Sequence, residues 1–201
     1  GAMKGVALGI CPQATLVDIS HNVPPQDVLA AALLLPTYVP CYPPGSVHVA
    51  VVDPGVGSER RGLAIAASLD GEQQYLVGPD NGLFWPLLTR AAAFHAVQLA
   101  EPRFWRPRVA PTFHGRDIFA PVAAHLACGV PLTALGPAVT DLVRLDVPRL
   151  QREPGALVGM IVAIDHFGNC ASNIDADALA ELGDPAALRV IVAGHELGPL
   201  R

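Results

Sequence analysis

The chain has 201 residues, of which 51% are hydrophobic and 15% charged, and its formal net charge is −5. This composition is typical of a compact globular protein and argues against intrinsic disorder. The chain has no basic cluster, and no apolar run reaches the ~18 residues that span a bilayer, so we expect neither nucleic acid nor membrane as a partner. The four cysteines form no CxxC pair, which favours a cytoplasmic location over a disulfide framework.

Prolines divide the N-terminal part of the chain into short predicted elements. A helix is expected from Met3 to Ile10, and a short strand from Thr15 to Ile19. A rigid loop at 21–25 precedes a second helix, which Asp27 can cap and which Pro36 is expected to end.

The stretch from Val47 to Arg61, VHVAVVDPGVGSERR, contains the first candidate site. It begins as a buried strand from Val47 to Val52, continues into Asp53 and a glycine-rich loop, and ends in Arg60 and Arg61. Open α/β sheets bind their ligands at such strand ends. A plain turn followed by a solvated arginine pair is the alternative interpretation, and the pattern alone leaves both open.

Strands and helices alternate in the next part of the chain. Two strands, a helix and a third strand are predicted at Gly62 to Leu69, Tyr75 to Val77, Leu83 to Ala93 and Phe94 to Leu99. Asp70-Gly71 is a hairpin signal between the first two strands. Asp80 and Asn81 form a second polar strand end, for which a turn with a helix cap is the alternative.

The segment 111–129, PTFHGRDIFAPVAAHLACG, predicts a helix from Ile118 to Cys128. Asp117 is a candidate N-cap, and Gly129 is a suitable C-terminal stop.

The loop that enters this helix carries Thr112, Phe113 and His114. Backbone N–H groups at such a position favour negative charge or a nucleophilic oxygen. His114 therefore suits general-base work near neutral pH, although a structural loop histidine is the alternative. His114 and Asp117 have no third partner at ligand spacing, so we expect no metal site.

A charged, proline-bearing linker at 147–155 marks a change in composition, and we place a domain boundary near Gln151. Residues 1–150 are predicted to form an α/β domain with a central, mostly parallel sheet, and residues 151–201 to begin a smaller all-β domain. Its strands are expected at 157–164, 169–174 and 189–193. Both ends of the sequence read as cut, because no strand precedes the first periodic segment and the chain stops one turn after a strand.

Six blocks, in order, resemble the S-adenosyl-L-methionine hydroxide adenosyltransferase family, the relatives of fluorinase and chlorinase. They are MKGVAL, DISHNVPPQD, VHVAVVDPGVGSERR, VGPDNGLF, PTFHGRDIFAPVAAHLA and IDHFGNCASNI. The resemblance implies an α/β domain followed by a β-barrel-like domain that is truncated here, in a homotrimer with active sites between subunits. It also implies hydrolysis of S-adenosyl-L-methionine to adenosine and L-methionine without a cofactor.

The resemblance places the family's catalytic triad on Asp53, Arg60 and His114. The halogenating relatives have tyrosines where this chain has Asp53 and His114, so water rather than halide is the expected nucleophile. Asp165 matches the residue for the methionine amino group, and Asn169 the residue for adenine. The other expected substrate-binding residues are Phe167, Asn81, Thr112 and Phe113. A halogenase and a non-catalytic binder of adenosine or S-adenosylmethionine are the rival functions.

Overall fold

A computed structural model describes residues 1–164 and 167–199 and divides the chain into two compact units, 1–145 and 146–201. The predicted boundary near Gln151 coincides with the first strand of the second unit. That the first domain carries the catalytic residues and the second begins a separate β domain stays a prediction. Among the described residues, no helix is both long and apolar enough to cross a membrane.

The first unit is built on a five-stranded mixed sheet with the strand order β1-β3-β2-β4-β5. Its strands are β1 (Val47–Val49), β2 (Gly62–Leu69), β3 (Glu72–Pro79), β4 (Ala93–Gln98) and β5 (Ala138–Val139). Only the β1–β3 pairing is parallel, so the prediction of a mostly parallel sheet is wrong. A parallel neighbour needs a long crossover, whereas the connection between β2 and β3 is a two-residue turn.

That turn is the hairpin predicted at Asp70-Gly71. Asp70 has φ 51° and Gly71 has φ 84°, the left-handed pair that matches the twist of the flanking strands. The register continues without a shift from Leu69↔Glu72 to Gly62↔Pro79. The hairpin therefore brings the end of β3 beside the start of β2.

The described part of this unit has four α-helices, of which the first packs on the fourth: α1 (Ala2–Ile10), α2 (Val28–Tyr38), α3 (Trp85–Leu88) and α4 (Ala120–Ala127). The first helix and the Asp27 cap are confirmed, since the Asp27 carboxylate accepts a hydrogen bond of 2.8 Å from the Ala30 N–H. The predicted stop at Pro36 is wrong. Pro36 removes one N–H, but the Val39 N–H still closes the last turn on the Leu35 carbonyl.

Three other sequence predictions need correction. Thr15 to Ile19 forms no strand, because no neighbouring strand pairs with it and Val17 is 61% exposed. The strand that starts at Val47 stops at Val49, where the pairing with β3 ends. The helix predicted from Leu83 to Ala93 is limited to α3, because Ala93 already pairs with Ser68 in the sheet.

The core lies on both faces of the sheet, and side chains alternate between them along β2. Leu63 and Ile65 pack on one face against α2 and α3. Ala64 packs on the other face with Phe119 and Val122, at the start of α4. The sheet thus lies between two helical layers. The polar residues that follow β3, Asp80 and Asn81, lie next to this apolar core.

The second unit consists of three two-stranded antiparallel sheets and one short helix within its described residues. The elements are β6 (Gln151–Glu153), β7 (Ala156–Val158), β8 (Ile161–Ile164), β9 (Cys170–Ser172), α5 (Ala176–Ala180), β10 (Arg189–Val192) and β11 (His195–Pro199). The strand predicted at 157–164 is divided into β7 and β8, which pair with β6 and β9 respectively, and between them the Met160 N–H donates to the Asn173 side chain at 2.7 Å. The described residues close no barrel, so the barrel is not confirmed.

Replacing Gly82 by alanine tests the packing at the end of β3. Gly82 has φ +89°, and a Cβ there would lie 2.9 Å from the Leu145 Cβ. Because a left-handed backbone alone costs alanine about 1–2 kcal/mol, we expect Gly82→Ala to lower the free energy of unfolding by about 2–3 kcal/mol.

Gly71→Ala is the matched control, since Gly71 has φ +84° and nothing within 4 Å of its Cβ position. Its loss should stay near the backbone cost alone, about 1–2 kcal/mol. Urea unfolding followed by circular dichroism measures both variants. Equal losses of unfolding free energy in the two variants would mean that the contact with Leu145 adds no cost at position 82.

Candidate active site

The loop after β1 turns back on itself and carries Arg60 toward Asp53. The Val56 N–H donates to the Asp53 carbonyl at 3.2 Å, and the Ser58 N–H donates to the Gly55 carbonyl at the same distance. Gly57 has φ +79°, and a Cβ there would lie 2.8 Å from the Pro111 carbonyl oxygen. Only glycine allows this loop to lie so close to the segment that leads to His114.

Arg60 and Asp53 form a buried, bidentate ion pair. Arg60 Nε donates to Asp53 Oδ1 at 3.0 Å, and Nη2 donates to Oδ2 at 2.5 Å. The two side chains are only 8% and 4% exposed. The guanidinium carbon also lies 5.3 Å from the centre of the Phe119 ring. Two parallel hydrogen bonds hold the carboxylate in a single orientation.

His114 completes the cluster. Arg60 Nη2 lies 3.2 Å from His114 Nδ1. A guanidinium can only donate, so Nδ1 is the acceptor and the neutral ring carries its proton on Nε2. Burial lowers the pKa of His114, and the Arg60 charge lowers it further, while the Asp53 and Asp117 carboxylates act in the opposite direction. The site therefore favours the neutral imidazole.

The helix after His114 begins earlier than predicted, with a π-helical turn at Gly115–Phe119 that leads into α4. Asp117 is not the predicted N-cap but lies inside this turn, fully buried. It accepts hydrogen bonds of 2.6 and 2.8 Å from Arg116, 3.0 Å from Arg106, and 2.9 Å from the Ala110 N–H. These donors hold the pKa of Asp117 far below its usual range, and Arg116 has the largest effect.

A cavity of about 240 Å³ opens beside Asp53. The segments 23–26 and 51–54 line it, so one wall is the proline-rich loop before α2. Sequence reasoning treated that loop as a rigid connection and named no site residue in it. Gln26 has φ 67°, an uncommon conformation for a non-glycine residue that the sequence pattern does not predict.

The structure distributes the predicted substrate-binding residues over both units. The Asn81 side chain is bound to backbone, on one side next to Asp53 in the chain: it donates to the Val52 carbonyl at 2.8 Å and accepts from the Leu83 N–H at 3.2 Å. Phe113 is 57% exposed, with the Arg116 guanidinium 4.8 Å from its ring centre, and Thr112 is exposed beside it.

The remaining predicted substrate-binding residues belong to the second unit. Phe167 is 79% exposed there, and Asn169 lies between it and β9. Asp165 lies outside the described residues. The binding roles of all six residues stay predictions. Across residues 1–164 and 167–199, no three histidine, cysteine, aspartate or glutamate side chains group closely enough to hold a metal ion.

Comparison with known proteins gives a consistent result. A family model described as the SAM hydroxide adenosyltransferase N-terminal domain matches residues 1–136. A protein of Salinispora arenicola named (R)-S-adenosyl-L-methionine hydrolase is 45% identical over 94% of this chain and 71% of its own length. A protein of Thermus thermophilus with the same name is 42% identical over 86% of this chain and 68% of its own length.

A more distant relative is named fluorinase, from Actinoplanes sp. It is 31% identical over 95% of this chain and 72% of its own length. Among solved structures, an uncharacterised conserved protein from Thermotoga maritima matches with a TM-score of 0.92 at 33% identity. That match covers 98% of this chain and 75% of the Thermotoga chain.

Asp117→Asn tests how the turn behind His114 is held. The substitution keeps the shape of the side chain but leaves Arg106 and Arg116 without a carboxylate. We expect it to lower the free energy of unfolding by about 3 kcal/mol. Because the pKa of Asp117 is lowered in the folded protein, this stabilisation is present above the ordinary aspartate pKa and fades as the pH falls below it.

Asp141→Asn is the control, because Asp141 also pairs with an arginine but its side chain is 81% exposed. Its effect should remain below about 1 kcal/mol. Urea unfolding at neutral and acidic pH measures both variants. A loss for Asp117→Asn as small as that of the control would contradict the role given to Asp117.

Proposed function

The chain belongs to the S-adenosyl-L-methionine hydroxide adenosyltransferase family, and from this premise we propose that it hydrolyses S-adenosyl-L-methionine to adenosine and L-methionine. The observation that carries the proposal is the cluster of Asp53, Arg60 and His114. A carboxylate and an imidazole separated by 61 positions in the sequence meet at one guanidinium. The relatives named hydrolase, at 42–47% identity, support water as the nucleophile over the 31% identical relative named fluorinase.

The reaction needs an aligned oxygen nucleophile more than it needs an acid. The sulfonium sulfur of the substrate leaves as a neutral thioether, so the leaving group requires no proton. Water attacks the ribose C5′ from the side opposite sulfur, the C5′–S bond breaks with its electron pair on sulfur, and one proton is released. In-line attack inverts the configuration at C5′.

The hydrogen bonds of the cluster give each side chain a distinct task. Each Asp53 oxygen accepts from Arg60 and keeps a further lone pair, so Asp53 is the group that takes the proton from water. His114 uses Nδ1 to accept from Arg60, so its Nε2–H is left to orient the water oxygen. The Arg60 charge lowers the cost of hydroxide character on that oxygen.

The finer features of the family expectation belong to the same proposal. We infer a homotrimer whose active sites lie between subunits, with Asp165, Phe167 and Asn169 binding the substrate from a barrel-like second domain. Thr112, Phe113 and Asn81 would border the substrate from the first domain. The resemblance of the sequence blocks supports these assignments. The four cysteines are all free thiols, which supports a cytoplasmic location.

Removing either proposed catalytic side chain should slow adenosine formation. We expect Asp53→Asn and His114→Ala each to lower kcat by about 100-fold or more, because a positioned proton acceptor or donor typically contributes that factor. Single-turnover assays that quantify adenosine by chromatography measure the effect.

His95→Ala is the matched control for the histidine, because His95 is exposed in the middle of β4, paired with Ala66. Its rate should stay within about 2-fold of the wild type. Losses below about 10-fold in both site variants would refute the catalytic assignment, and a 5′-halo-adenosine product in chloride or fluoride would favour the halogenase.

The pH profile provides a separate test. Protonation of His114 at Nδ1 would place a second cation against Arg60 and break the hydrogen bond between them. Since the pKa of His114 is lowered, kcat should hold as the pH falls and decline only below the ordinary histidine value of 6.5. An acid limb above that value in the pH–kcat profile would contradict the arrangement.

A further inference from the structure

Arg60 has a fourth hydrogen bond, which fixes how its guanidinium is turned. Nη1 donates to the Arg61 backbone carbonyl at 2.9 Å, while Nε and Nη2 face Asp53. A planar guanidinium held at three nitrogens cannot rotate about its own axis without breaking one of these bonds. The direction of the Arg61 carbonyl therefore sets the position of Nη2, which is also the donor that reaches His114.

Asp80 holds that carbonyl from the end of β3. Its backbone N–H donates to the Arg61 carbonyl at 2.9 Å. Its Oδ2 accepts from Arg61 Nε at 2.9 Å and from Nη2 at 2.6 Å, while its Oδ1 accepts from the Val143 N–H at 2.9 Å. The Asp80 side chain is only 3% exposed, so its carboxylate is bound by protein donors in a buried setting. Asp80 and Arg61 are thus joined through both backbone and side chain.

Asp141 occupies the outer side of Arg61. Its Oδ1 accepts from Arg61 Nη1 at 2.8 Å, and its carbonyl accepts from Nη2 at 2.8 Å. The side chain of Asp141 is 81% exposed, whereas that of Asp80 is buried. Arg61 therefore has a buried partner, Asp80, that also binds its backbone carbonyl, and an exposed partner, Asp141, that binds only its side chain. Substituting one or the other distinguishes the effects of the two partners.

We propose that Asp80 and Arg61 are positioning residues, which hold the Arg61 carbonyl so that the Arg60 guanidinium meets both Asp53 and His114. Neither residue touches the reacting atoms in this account. They act through Arg60, because Arg60 Nη1 and the Asp80 N–H both donate to the Arg61 carbonyl. The kinetic part of this proposal rests on the proposed function, but its structural part does not.

The titration of His114 reports the position of Arg60 directly. The groups that face this imidazole are Arg60, whose charge lowers its pKa, and the Asp53 and Asp117 carboxylates, which raise it. If Asp80→Asn lets the guanidinium turn away, the lowering effect of Arg60 weakens and the pKa of His114 rises. A general loss of stability without movement of Arg60 would leave that titration unchanged.

The test is an NMR titration of the histidine ring protons in the wild type, Asp80→Asn and Asp141→Asn, with His114→Ala used to assign the signal. We expect the pKa of His114 to rise by about 0.5 to 1 in Asp80→Asn and to stay unchanged in Asp141→Asn. In parallel assays, kcat should fall at least ~10-fold in Asp80→Asn with KM within about 3-fold, and Asp141→Asn should match the wild type.

Arg61→Lys is the second variant, in case Asp80→Asn does not fold. Lysine keeps the charge but lacks the fork that holds Asp80 Oδ2 by two nitrogens, so a smaller shift of the His114 titration in the same direction is expected. An unmoved titration in the folded variants, or equal shifts in Asp80→Asn and Asp141→Asn, would overturn the proposal. A wild type that makes no adenosine would refute the proposed function alone, since the titration result does not depend on turnover.

Discussion

The burial of the Arg60 guanidinium is the constraint on which the rest of the site depends. A cation that is only 8% exposed is costly unless each of its nitrogens finds an acceptor. Arg60 meets this demand with the Asp53 carboxylate, His114 Nδ1 and the Arg61 carbonyl. The same hydrogen bonds that offset the cost of burial also fix the carboxylate and the tautomer of the imidazole. The hydrogen bonds of Arg60 thus serve both the stability of the fold and the arrangement of the site.

The topology explains how these groups reach one edge of the sheet. β1 and β3 form the parallel pair, so Asp53 and Asp80 both follow strands that end at that edge. β2 runs the opposite way and starts there, with Gly62 opposite Pro79, so the arginines that precede β2 arrive at the same place. His114 comes from the other helical layer, through the turn that Asp117 holds. The parallel β1–β3 pairing and the antiparallel β2–β3 pairing together bring Asp53, Asp80 and the two arginines to the same end of the sheet.

Local rules predicted the parts of this structure that local chemistry determines. Asp70-Gly71 specifies a hairpin, and Asp27 caps a helix, because each effect involves only neighbouring residues. The strand order, the loss of the strand at Thr15 to Ile19 and the π-helical turn depend on distant partners that no short window contains. Asp117 is a different case, since its partners are near in sequence: its position suggests a cap, but Arg106, Arg116 and the Ala110 N–H make it a buried anchor.

The site was predictable to a similar extent. The strand end at Asp53 and the loop at His114 stand out as separate patterns. Only the family resemblance predicts that they meet at Arg60, as the structure shows. The role proposed for Asp80 had no sequence signal beyond a polar residue after a strand, because it depends on a shared backbone carbonyl. The wall of the cavity at 23–26 was missed for a related reason, as its prolines read equally well as a connecting loop.

The most direct test of the central claim follows the oxygen atom. When the protein turns over S-adenosyl-L-methionine in water enriched in ¹⁸O, mass spectrometry of the products locates the new bond. This account predicts one ¹⁸O atom in the 5′-hydroxyl of adenosine and none in methionine, with the labelled product formed about 100-fold more slowly in Asp53→Asn. Adenosine without the label, or label that enters at an undiminished rate in Asp53→Asn, would contradict attack at C5′ by water that Asp53 holds.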